Sequence, residues 1–141
     1  MNREEKAVML RNKGYNCAQA VVCAYCDVFD ISEDVAFAIS EPFGSGLGCT
    51  KGNCGALVGA CMLLGLKNSS RNLETPNSKG ITYLQERPIV NDFIEQAGAL
   101  KCREIKGIET GKVLCECEMC VRIASRLVDK YILKEEWFSC E

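Results

Sequence analysis

Helix punctuation recurs along nearly the whole chain, while the strict apolar–polar alternation of a half-buried strand is weak everywhere. That combination predicts an all-α fold. Residues Arg3 to Lys13 are good helix formers, and Gly14 suits the left-handed position that ends a helix. Asn16 is a natural N-cap for a second helix, with Cys17, Ala20, Val21, Ala24 and Val28 on one apolar face. Ser32 caps a third, from Glu33 to about Ser40, which Pro42 closes. A glycine-rich loop, Phe43 to Gly52, precedes a helix capped by Asn53 and running from Cys54 to about Leu64. The small residues Gly55, Ala56, Gly59 and Ala60 fit that helix for close packing against a neighbour. Lys67 to Lys79 reads as a surface loop, and Gly80 to Gly98 as helix kinked or split at Pro88. After a turn-rich stretch, Lys106 to Lys112, a last helix is expected from Cys117 to Leu133, with Val121, Ala124, Leu127, Val128 and Tyr131 facing inward. The expectation is one domain, a bundle of five or six helices without repeats.

A chain of 141 residues buries roughly 70% of its unfolded surface, so this one needs no covalent staples. Yet it carries eleven cysteines and no histidine. Sulfur is therefore the abundant soft ligand and the abundant strong nucleophile. No imidazole can serve as metal ligand, as base near neutral pH or as haem ligand. A Cys-His nucleophile is excluded, and any base would be a group such as Glu104 or Lys101 beside Cys102. Neither a hydrolase nor a transferase is expected; if the chain is an enzyme, it is of oxidoreductase type.

Other classes fall on charge and length. The net charge is −2 and the basic residues are scattered, which argues against nucleic-acid binding. The longest apolar stretch, Gly55 to Leu66, is too short for a membrane span of about 18 residues. The charged start, Met1 to Lys6, does not read as a secretory signal. A cytoplasmic location is expected, where thiols stay reduced and cysteine-rich chains bind metal or do redox work.

Cys17 and Cys54 share a setting, each following an Asn that can cap a helix. In a first turn the free amides and the positive end of the macrodipole favour a thiolate over a thiol. Cys117 and Cys120 form a CxxC at the start of the last helix, and Cys115 and Cys117 a CxC. Cys23 and Cys26 form a second CxxC, but mid-helix, and read as core. Cys49, which with Cys54 flanks Thr50-Lys51-Gly52-Asn53, is a candidate further thiol for the site, as is Cys120. The loop Gly44-Ser45-Gly46-Leu47-Gly48 is no phosphate cradle, since no strand precedes it and no GK[ST] follows. Its glycines fit a close approach of backbone to a neighbouring helix or cofactor. Cys140, beside Trp137 and Phe138, reads as incidental.

Four segments together resemble a known pattern: Gly14-Tyr15-Asn16-Cys17-Ala18-Gln19-Ala20-Val21; Cys54-Gly55-Ala56-Leu57-Val58-Gly59-Ala60; Cys102-Arg103-Glu104-Ile105; and Cys117 through Val121-Arg122. The chain resembles the C_GCAxxG_C_C family of redox-active proteins, named for its cysteines and its CGAxxG motif. The resemblance implies a helical protein with four defining cysteines, which carry over to Cys17, Cys54, Cys102 and either Cys117 or Cys120, Cys117 fitting better. This chain adds Cys49, Cys115 and Cys120 to that set.

Two functions follow as expectations. In the first, Cys17, Cys54, Cys102 and Cys117 converge on one site for electron transfer or thiol–disulfide exchange. That site would work through its thiols alone, a single metal ion such as zinc, or an iron–sulfur cluster, and it would serve an unidentified redox partner. In the second, a non-catalytic helical domain is locked by a four-cysteine zinc site or by disulfides. A third, an accessory protein that handles metal or small molecules, shares the same residues. A homodimer through the small-residue face of the Cys54 helix is compatible with each.

Overall fold

Seven α-helices build the described part of the chain, residues 1–134 of a computed structural model: α1 (Arg3–Lys13), α2 (Cys17–Tyr25), α3 (Glu33–Ser40), α4 (Gly55–Asn68), α5 (Lys79–Ala97), α6 (Cys102–Lys106) and α7 (Cys117–Leu127). No strand occurs among the described residues, and the fold is all-α as expected. Cys140, Trp137 and Phe138 lie outside them. No described helix is long and apolar enough to cross a membrane.

The bundle is arranged around α2, in which every residue is buried. A chain segment with no polar face can exist only when surrounded, and α1, α3, α4 and α7 all pack on it. Its tightest neighbour is α4, for a reason the sequence carries. A Cβ at Gly59 would lie 3.0 Å from the Ala18 carbonyl oxygen and 3.3 Å from Val21. The two backbones approach too closely for any larger residue. Leu57, Leu63 and Leu64 then bury their side chains beside that crossing, each contributing ~1.5–3 kcal/mol.

Helix ends fall where local chemistry puts them. Gly14 ends α1 with φ 126°. Asn16 and Gln19 form a reciprocal capping box, Asn16 Oδ1 accepting from Gln19 N at 2.9 Å and Gln19 Oε1 accepting from Asn16 N at 2.9 Å. Several boundaries differ from the sequence reading. Val28 lies in a 3-10 turn after α2 (Cys26–Phe29) and is exposed, so it is not part of the apolar face. α4 continues four residues beyond Leu64, to Asn68. Pro88 sits inside one continuous α5. The short α6 escaped periodicity altogether, since five residues are less than two turns. Beyond α7 the chain winds on in a wider turn, Val128–Ile132.

Two polar devices fix α7. Glu4 of α1 is buried and accepts from Arg126 Nε at 2.8 Å, Arg126 Nη2 at 2.9 Å and Arg122 Nη1 at 2.9 Å. The Arg126 guanidinium, with Arg122, holds its carboxyl below the usual carboxylate range. The buried Tyr25 hydroxyl lies 2.7 Å from Asp129 Oδ1 and 2.9 Å from the Ser125 carbonyl. These contacts set the end of α1 against the start of α7, where Arg11 and Cys117 meet.

Candidate redox site

Each of the four cysteines singled out by the resemblance stands at the start of a different helix. Cys17 is the first residue of α2, Cys102 of α6 and Cys117 of α7, while Cys54 is itself the N-cap of α4. The last point corrects the sequence reading, which placed Asn53 at the cap. Asn53 instead pairs with Lys101 in an isolated antiparallel bridge. In that bridge Cys54 N donates to Leu100 O at 2.9 Å and Cys102 N donates to Gly52 O at 2.9 Å. The bridge thus sets the two following residues, Cys54 and Cys102, side by side.

The glycine-rich loop makes room for this. Ser45, Gly46, Leu47, Gly48 and Thr50 all adopt positive φ. A Cβ on Gly46 (φ 59°) would stand 2.5 Å from Cys102 Cβ and 2.9 Å from Gly52 O. Only glycine fits there, and its role is the close approach expected from the sequence. Gly55 makes the corresponding space at the other end of the site: a Cβ there would lie 2.6 Å from Cys17 Sγ and 2.6 Å from Phe43 O. The CGAxxG motif therefore has a physical reading. Gly55 admits the Cys17 sulfur, Ala56 is fully buried, and Gly59 admits the α2 backbone.

The result is one pocket of about 450 Å3 lined by six cysteines: Cys17, Cys54, Cys102, Cys115, Cys117 and Cys120. Its charged lining residues are Arg11 and Lys106, and no carboxylate lines it. Cys17, Cys54, Cys102 and Cys120 are 2–8% exposed, whereas Cys115 and Cys117 are half-buried.

Within the pocket the sulfurs pair. Cys17 interacts with Cys117, and Cys54 with Cys120. In each pair one sulfur is shifted up and its partner down. The Cys17 thiol, hydrogen-bonded to Cys117 and buried, is pushed far up, and it lowers Cys117 to about 5. The Arg11 guanidinium adds to that lowering, and its own pKa rises in return. In the second pair Cys120 is pushed up by its bond to Cys54 and by burial. Cys54 is lowered, first by Cys120 and then by the first-turn amides of Leu57 and Ala56. Burial raises Cys102, and it raises Cys115 as well.

The other cysteines stand apart. Cys49 is exposed on the glycine-rich loop, its Sγ 3.7 Å from Gly46 O, and it does not line the pocket. Cys23 and Cys26 are buried in the core, as their mid-helix position suggested, with Cys23 pushed up to about 12 by burial. Cys61 lies on α4 and is likewise raised to about 12, by burial and by Glu86. Cys115 and Cys120 are the pocket thiols beyond the four-cysteine set, and Cys115 is the one not singled out as a site candidate. Its signal was the CxC spacing, which keeps it within two residues of Cys117.

Six cysteines, with no carboxylate lining the pocket and no histidine in the chain, are the donor chemistry of zinc or an iron–sulfur cluster. Their placement is not. Among the described residues, no group of three or more His, Cys, Asp or Glu is arranged to hold a metal ion.

Comparison with the curated proteins found no match, and neither did comparison with solved structures. The family described as "Putative redox-active protein (C_GCAxxG_C_C)" matches residues 15–131, a span that holds all six pocket cysteines. The chain belongs to that redox-active family.

Proposed function

We propose that the pocket is a dithiol–disulfide redox centre in which Cys17 with Cys117, and Cys54 with Cys120, each cycle between two thiols and one disulfide. The observation that carries this reading is the pairing itself, Cys17 beside Cys117 and Cys54 beside Cys120, in one pocket, with one sulfur of each pair shifted up and the other down. In the half-buried pair Cys117, lowered to about 5, attacks and Cys17 resolves. The Cys117 thiolate attacks one sulfur of an external disulfide and expels the first thiolate. Cys17 gives up its proton to that leaving group and attacks Cys117 Sγ, expelling the second. Two electrons and the pair's one proton pass to the external disulfide, and its second thiolate takes a proton from solvent to leave as a thiol. The reverse sequence reduces the protein. Such a centre would work with a redox partner in a reducing compartment such as the cytoplasm, where thiols are regenerated.

A metal centre is the second reading, favoured by the six cysteines of the lining and opposed by their paired placement. Metal analysis of protein purified without oxygen, together with a thiol titration before and after a small disulfide oxidant, separates the two. The dithiol reading predicts a colourless, metal-free protein that loses four thiols reversibly, two for each of its two pairs. Stoichiometric zinc, or iron with acid-labile sulfide, would replace it with the second reading.

A further inference from the structure

The inner pair has an access problem. Cys54 is 7% and Cys120 2% exposed, and thiol–disulfide exchange requires an attacking sulfur to reach its target in line. Cys117 solves this for its own pair by being half-buried at the pocket. No such solution exists within Cys54 and Cys120. Cys120, however, has two sulfur neighbours, Cys54 on one side and Cys115 on the other. Cys115 is half-buried and lines the same pocket. Its position is fixed rather than incidental: Leu114 N donates to Ile105 O at 2.8 Å, which folds the segment before α7 back onto α6.

We propose that Cys115 is the relay thiol of the inner pair, carrying its oxidation state to and from the pocket mouth by exchange at Cys120. The inference rests on the dithiol–disulfide reading above. Starting from the oxidised inner pair, the Cys115 thiolate attacks Cys120 Sγ. The Cys54–Cys120 bond breaks, a Cys115–Cys120 bond forms, and Cys54 leaves as a thiolate. No electrons enter or leave in this step. An external thiolate then attacks the half-exposed Cys115 Sγ and frees Cys120, and a second external thiol releases the first as a disulfide. Two electrons have passed inward. Cys54 is a good leaving group because the first-turn amides of Leu57 and Ala56 in α4 stabilise its charge, and leaving is faster for the thiol of lower pKa. Departure of Cys54 therefore runs with the electrostatics of the site, whereas burial, which raises Cys115, works against its attack and sets the rate of the relay.

The test uses the full chain, oxidised by hydroxyethyl disulfide and then reduced by glutathione, with thiols counted by residue through peptide mapping over time. In Cys115→Ser, release of the Cys54 and Cys120 thiols should slow by about tenfold or more, while Cys17 and Cys117 keep their rate. In Cys54→Ser, oxidation should leave Cys115 bonded to Cys120. Unchanged release from Cys115→Ser, or equal slowing of both pairs, would overturn the relay and leave the two pairs standing. Wild-type protein that forms neither Cys17–Cys117 nor Cys54–Cys120 would remove the dithiol reading and the relay with it.

Discussion

Replacing Cys17 by alanine should shift the pH at which Cys117 becomes reactive from about 5 to the range of an ordinary thiol. The Cys17 hydrogen bond is the largest cause of the lowered Cys117 pKa, ahead of Arg11, and alanine cannot supply it. An unperturbed cysteine has a pKa near ~8.5. At pH 6 the thiolate fraction would then fall by roughly 300-fold, but a more basic thiolate is also a better nucleophile, by about 40-fold over that span. The two effects oppose, and the population wins: exchange at Cys117 with a small disulfide should slow by about tenfold at pH 6. Near pH 7 the difference should vanish, and by pH 8 it should reverse, the variant being faster by about tenfold. Serine at the same position retains a donor and should fall between. A pH–rate profile for Cys17→Ala that overlays the wild type would show that Cys117 does not depend on its partner.

The second large effect concerns stability. Gly55→Ala places a methyl group 2.6 Å from both Cys17 Sγ and the Phe43 carbonyl oxygen. A flexible side chain could yield, but the Phe43 contact is backbone, and Gly44 Cα stands 3.2 Å away behind it. Alanine favours a helix over glycine by about 1 kcal/mol, whereas overpacking of a filled core costs ~1–3 kcal/mol. Sterics should prevail, with Tm falling by roughly 3–10 °C. Gly80→Ala is the matched control. It lies in the first turn of α5 with nothing within 4 Å of its Cβ position, so only the propensity gain remains and Tm should hold or rise. A Gly55→Ala protein as stable as the wild type would contradict the close approach on which the motif's reading depends.

Much of this was legible in the residues. Asn16 followed three residues later by Gln19 announces a capped helix, and that cap places Cys17 at its first position. The small residues of α4 foretold a close neighbour, and Gly59 against Ala18 supplies it. What stayed hidden was long-range. Asn53 is as good a cap as Asn16 by local chemistry, but pairing with Lys101 holds it extended and moves the helix start onto Cys54. Cys49 is near the site in sequence, yet a run of positive-φ residues turns it to the surface. Cys115 lies in a stretch without periodicity, and it reaches the pocket because Gly107 turns with φ 68° and Leu114 bonds back to Ile105. Spacing could set Cys120 beside Cys117, but only the fold pairs it with Cys54.

The pairing is the central claim, and disulfide mapping of protein oxidised by a small disulfide tests it most directly. Reduced protein would be oxidised to completion, quenched in acid, alkylated, digested and analysed for linked peptides. The account predicts two links, Cys17 to Cys117 and Cys54 to Cys120, with Cys102 alkylated as a free thiol. Links that join Cys17 to Cys54, or that capture Cys102 in place of either partner, would contradict it.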